Sequence, residues 1–259
     1  TIFTADRKGV IYMKKILRFQ LKDLTYSCLA YALVMLLLYC IPLVISITFG
    51  DIDMGINGNG LPGAVFCLVF GIAVYKEHLL MAVQNGISRK CYFQSVLCVL
   101  VIAGCACALI DLLTLFLGVR IGAGFSGNSN FRAIDIWKMC YPKFYDRAGS
   151  VSGVAVSFVL SAFVDFLLFA SGLMTAGVYC RMAKKFRTFY CVGLPIFMFG
   201  VLPVIGAYFH REVFELVNGF MNIMGFRSNN PFQGVLTMTV IILVILFICY
   251  RLLRRTEIS

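Results

Sequence analysis

The chain is poor in charge. Only 14% of its 259 residues are Asp, Glu, Lys or Arg, against roughly 25% in an average soluble domain. Apolar residues make up 61%, and that imbalance excludes a soluble globular fold. Histidine is scarce too, since His78 and His210 are the only two. No Cys-x-x-Cys pair occurs among the eleven cysteines, and most of these lie inside apolar stretches. A metal site or a disulfide framework is therefore not expected, and buried cysteines are read as small hydrophobes. The chain also lacks a Gly-x-x-x-x-Gly-Lys-Ser/Thr phosphate loop, a Gly-x-Ser-x-Gly elbow and a His-Glu-x-x-His pair. It is not expected to bind ATP by itself or to be an enzyme.

What is present is long and apolar. A helix needs about 20 residues to cross a hydrocarbon core of roughly 30 Å. Five charge-free stretches reach that length: 24–50, 54–75, 91–110, 188–210 and 228–250. A sixth, 148–180, contains one acid, Asp165. The expected fold is all-α and polytopic, with spans near 24–49, 61–75, 92–118, 151–179, 189–208 and 234–250. The second is short unless it continues through Lys76–Met81, where nothing breaks a helix. The domain division is a tail and amphipathic helix over 1–23, a six-span domain over 24–250, and a tail over 251–259.

The net charge of +11 is explained by where the cations sit. With the N-terminus inside, inner segments hold 16 Lys and Arg and outer loops hold 7. Cytoplasmic loops collect such residues, so both termini are expected inside and nucleic acid is not an expected partner. Lys14, Lys15, Arg18 and Lys22 share one face of a helix, with Met13, Ile16, Leu17, Leu21 and Leu24 opposite. That pattern predicts a helix lying in the inner interface, its basic face toward anionic headgroups; the alternative is a basic overhang. Met13-Lys14-Lys15 reads as a natural start, which would make residues 1–12 an upstream remnant. The 27-residue run after it exceeds a signal peptide's ~7–15, so it is read as a retained span.

The most distinctive segment joins spans two and three: Lys76-Glu77-His78-Leu79-Leu80-Met81-Ala82-Val83-Gln84-Asn85-Gly86-Ile87-Ser88-Arg89-Lys90. It predicts a short helix, a stop at Asn85-Gly86, and Ser88 capping the next helix. Leu79, Leu80 and Met81 would anchor it. The outer loop 119–150 carries Trp137, Tyr141, Phe144 and Tyr145, suited to an interfacial belt. Two acids lie in apolar surroundings. Asp165 is expected deep in span four, either lining a pathway or making a structural hydrogen bond. Asp111 is expected near the outer boundary as an interfacial acid or a functional one.

The Asn85-Gly86-Ile87-Ser88-Arg89-Lys90 stretch resembles a motif of bacterial ABC-transporter permeases of the type-2 export family. Six spans, inner termini and an N-terminal interfacial helix are similar to that family over about 13–255. The resemblance implies an exporter subunit of the bacterial cytoplasmic membrane, driven by two copies of a separate ABC ATPase that would supply ATP and Mg. It implies a second permease copy, identical or a sister chain. Glu77, Asn85, Gly86, Ser88, Arg89 and Lys90 would form the ATPase-coupling elbow. The family also has half-inserted helices before span six, which 210–231 would match, broken at Asn218-Gly219. Spans with few fixed charges suggest an amphipathic peptide or lipid-like cargo. The alternative is a secondary transporter or channel working without an ATPase.

Overall fold

The computed structural model describes residues 2–49, 55–125, 132–183, 186–187, 189–190, 193, 196, 204, 208 and 210–254. Its elements are α1 (Ile2–Phe49), β1 (Gly55–Asn59), α2 (Leu61–Ala73), a π-helical turn (Val74–His78), α3 (Leu79–Gln84), α4 (Arg89–Phe125), β2 (Arg132–Asp135), α5 (Ile136–Cys140), α6 (Pro142–Arg147), α7 (Ser150–Arg181), α8 (His210–Ile223) and α9 (Pro231–Arg254). Among the described residues four helices are long and apolar enough to cross a membrane: Lys15–Pro42, Arg89–Arg120, Val151–Arg181 and Pro231–Arg254. The chain is a multi-pass, all-α membrane protein. The expected fifth span, 189–208, falls mostly outside the described residues.

Two features differ from expectation, and the continuation of the second span past Tyr75 is as expected. The interfacial helix and the first span are one unbroken α1 of 48 residues, because no Gly or Pro stands between Val10 and Ile41. The second span is a short helix, Leu61–Ala73, that runs on through the π-turn into α3. The aromatic loop is a folded cap rather than a belt. Trp137 and Tyr141 are buried, the indole Nε1 donating to Ser161 Oγ at 2.8 Å and the Tyr141 hydroxyl to the Met224 carbonyl at 2.8 Å.

Helix association in lipid gains little from hydrophobicity and depends on close packing. At the α2–α7 crossing the approach is reciprocal. Gly71 lies against the Phe169 backbone carbonyl, and Gly172 lies against the Leu68 carbonyl. A β-carbon at either position would collide with main chain that cannot yield. Around this crossing sit Tyr31 and Met35 of α1, Cys67 and Phe70 of α2, Val99 and Ala103 of α4, and Phe169 of α7, all buried. A second cluster joins Trp137 and Tyr141 to Leu160, Met224, Met238 and Ile242.

The bundle has two unlike ends. At one, β1 and β2 pair in parallel, with Ile56 opposite Ala133, and the Lys143 amide donates to Asn229 Oδ1 at 3.1 Å. At the other, the segment after α2 meets α1 about its middle, near Phe19 and Asp23, and lies by the ends of α7 and α9. Tyr75 packs on Gly177, and Asp23 faces His78.

Candidate functional site

The elbow is built as the spacing predicts. The Gly86 amide donates to the Val83 carbonyl at 3.0 Å and the Ile87 amide to the Ala82 carbonyl at 2.9 Å, the paired bonds of a Schellman stop. Gly86 takes φ 69°, a left-handed conformation that glycine adopts without a steric penalty. The Asn85 side-chain amide donates to the Met81 carbonyl at 2.7 Å, a second bond to the oxygen that already accepts from the Asn85 backbone amide. Ser88 Oγ accepts from the Cys91 amide at 3.3 Å and so caps α4. The Ser88 carbonyl also opens the helical ladder, accepting from Tyr92.

Glu77, Asn85, Gly86, Ser88 and Lys90 are exposed at this one place. Their anchoring differs from the expected one. Leu79 and Ala82 are buried, whereas Leu80 and Met81 are 46% and 40% exposed. Along a helix the buried face recurs every three to four residues, and 79 with 82 occupies it while 80 and 81 turn away.

Arg89 departs most from the sequence reading. Its Nη1 donates to the carbonyls of Arg254 at 2.9 Å and Leu253 at 3.3 Å. A guanidinium at these unpaired carbonyls satisfies acceptors and opposes the negative end of the helix dipole. The side chain is half-buried and ties the elbow to the end of α9. The two residues are 165 apart in sequence, and no local signal announces the pair.

His78 was also missed. Its ring is 4% exposed, Nε2 lies 3.3 Å from Asp23 Oδ2, and Phe19 meets it edge-on at 5.3 Å between centroids. Burial pushes the imidazole below its ordinary range, and the Asp23 carboxylate and Glu77 pull it back up. Its Nδ1 has no hydrogen-bond partner among the described residues.

The two intramembrane acids are both buried in the bundle. Asp111 on α4 is 2% exposed and accepts a hydrogen bond from the Tyr31 hydroxyl of α1, with Gly63 of α2 against both. It stands toward the β1–β2 end of the bundle, beside Gly60 and Gly63, yet it is not an exposed interfacial acid, because α1 and α2 close over it. Asp165 on α7 is 1% exposed. It packs beside Gly104 of α4, within electrostatic reach of Asp111, and its Oδ2 has no hydrogen-bond partner among the described residues. Among the described residues no group of three His, Cys, Asp or Glu is placed to hold a metal ion. The described cysteines are all free thiols.

At the opposite end, Asp135 caps α5 by accepting from the Trp137 amide at 3.1 Å and also accepts from Ser157 Oγ. Burial raises this carboxyl above the usual range while those two donors lower it. The following α8 is amphipathic, with Phe214, Leu216, Val217, Phe220 and Met221 exposed. The expected break at Asn218-Gly219 is absent. The helix runs to Ile223, and the chain turns at Gly225 with φ 75°.

No protein-family model matches this chain, and no curated protein or solved structure does either.

Proposed function

We infer that the chain is the membrane subunit of an ATP-driven exporter, powered by a separate ATPase that docks on the elbow. The observation that carries this reading is the elbow itself. It is a rigidly capped turn between two long helices, exposing Glu77, Asn85, Ser88 and Lys90 at the end of the bundle where α1, α7 and α9 converge. A polar, fixed knob on a membrane bundle is suited to transmit a push. It is anchored on the bundle by Leu79 and Ala82 and on the last helix by Arg89. Movement of the elbow would tilt α2 and α4 as rigid bodies and open the route between two permease copies alternately to each side. ATP and Mg would be held by the two ATPase copies, and an amphipathic or lipid-like cargo would pass between the permeases.

Connectivity supports six crossings. The chain is at the elbow end at Arg187, whose guanidinium donates to the Met182 and Cys180 carbonyls, and at the opposite end by Met224. The basic elbow end would then face the cytoplasm of a bacterial cell, with both termini inside.

A secondary transporter is the second reading, favoured by Asp165, a carboxyl buried in a membrane bundle with one oxygen unpartnered among the described residues. Purification in mild detergent with identification of the co-purifying chains separates the two. A stoichiometric subunit bearing a phosphate-binding loop is the expected result. A homogeneous complex without one, inactive toward ATP in liposomes, would move the assignment to the second reading.

A further inference from the structure

On α7 three polar residues recur at one-turn intervals, Ser157, Ser161 and Asp165, forming a single stripe whose neighbours stand about 6 Å apart. At the β1–β2 end, Ser157 Oγ donates to Asp135 and meets the half-buried Tyr145 hydroxyl at 2.6 Å. One turn further in, Ser161 Oγ accepts from the Trp137 indole, which leaves its own proton to donate onward. A β-carbon on Gly60 would lie 3.7 Å from that oxygen and 3.9 Å from Asp111 Oδ2, so Ser161 and Asp111 border the same small space. Asp111 is in turn within electrostatic reach of Asp165. Beyond Asp165 the stripe stops. The next turns of that face carry Phe169, Leu173 and Ala176, all buried, and there α2 and α7 touch through main chain at Gly71 and Gly172. Polar groups lead from the β1–β2 end to Asp165 and no further.

The end of the stripe is the informative group. Asp165 Oδ2 is enclosed and has no hydrogen-bond partner among the described residues. The titratable groups within electrostatic reach of this carboxyl are Asp111, Cys105 and Cys107 of α4, Tyr31 of α1 and Cys67 of α2. Among the described residues no cation acts on it. A charge so placed needs neutralising, and an oxygen this enclosed admits only a proton. We propose that Asp165 is a proton-binding site, loaded through Ser157, Ser161 and Asp111 from the β1–β2 end alone. Each hydroxyl passes its own proton inward and takes one from its outer neighbour, so the relay is restored after every transfer. One bridging water covers each step of about 6 Å. Release toward the elbow end requires the α2–α7 crossing to part, which ties the proton to movement of the bundle. The site stands with or without an ATPase partner.

The experiment is infrared spectroscopy of the full chain in lipid near neutral pH, followed on transfer from light to heavy water. A protonated-carboxyl carbonyl band is expected that weakens in Asp165→Asn and exchanges about tenfold or more faster than the amides of α7. Ser157→Ala combined with Ser161→Ala should slow that exchange about tenfold, as the loss of a hydrogen-bonded step does. Ser161→Thr, which keeps the hydroxyl, and Ser171→Ala, on the elbow side of Asp165, should leave it unchanged. A band identical in Asp165→Asn would overturn the proton site. Exchange no faster than that of the α7 amides would mean that solvent enters by opening of the bundle, and the path would fall. Slowing by Ser171→Ala but not by the paired serine variant would place the entry at the elbow end and overturn the proposal too. Where Asp165→Asn does not fold, Asp165→Glu should shift the same band, and an unmoved band would overturn the assignment.

Discussion

Arg89 answers to two demands. In the sequence it belongs to an exposed docking motif; in the fold its guanidinium closes the end of α9. Arg89→Ala should therefore fray that helix end, at a cost of about 1 kcal/mol for a charge-assisted cap. Amide exchange over Tyr250–Arg254 should accelerate about fivefold. Lys90→Glu should leave exchange unchanged while weakening ATPase coupling, and the contrast separates docking from folding. If Lys90→Glu and Glu77→Lys both leave coupling intact, the elbow assignment fails. His78 gives a pH signature. Burial lowers its pKa in the fold, so between that lowered value and the ordinary ~6.5 the unfolded chain binds more protons. Stability then rises with pH through that window and is flat above it. Thermal unfolding followed from about pH 5 to 8 should show the low-pH loss, and His78→Gln should remove it. Tyr31→Phe deletes the hydroxyl that serves the buried Asp111 carboxylate, and a loss of about 1–3 kcal/mol is expected, read as a lower Tm in detergent.

Helices succeed or fail here on what their closest residues lack. Alanine at Gly71 or Gly172 would push a methyl into a main-chain carbonyl of the facing helix, costing about 1–3 kcal/mol as overpacking does. Gly219, inside α8, has nothing within 4 Å of the position a methyl would take, so Gly219→Ala should stabilise by up to about 1 kcal/mol. Opposite signs for the same substitution, measured by thermal unfolding, would test the packing directly. The elbow was legible because Asn85, Gly86 and Ser88 act through hydrogen bonds to backbone within a few residues, which sequence displays. The ends of α7 and α9 were legible to within a few positions from hydropathy alone, whereas the start of α1 and the end of α4 were not. Tyr31 with Asp111, Trp137 with Ser161 and Arg89 with Arg254 were not, since each joins elements 80, 24 and 165 residues apart. A turn propensity carries no information at that range. The aromatic loop misled for the same reason: Trp and Tyr suit an interfacial belt and a packed cap equally, and only the hydroxyl and indole partners decide.

At the scale of the molecule the two ends have different jobs. One is closed by the β1–β2 ladder, Asp135 and the Tyr141–Met224 bond; the other gathers the cations and the elbow. Epitopes inserted after Gly86 and after Arg254 should therefore be reached from one side of the membrane, and an epitope after Arg147 from the other. Matching accessibility of all three in intact cells would contradict the arrangement. The length of α1 adds something mechanical. Its 48 residues extend about 72 Å at ~1.5 Å each, while a bilayer with its headgroups is about 40–45 Å thick. Held upright, such a rod would project roughly 30 Å beyond the lipid, and tilting its embedded part by only ~10° would swing the free tip by about 5 Å. Pivoting beside Asp23 and His78, the first helix would turn small rotations inside the bilayer into strokes of several ångströms at its free end.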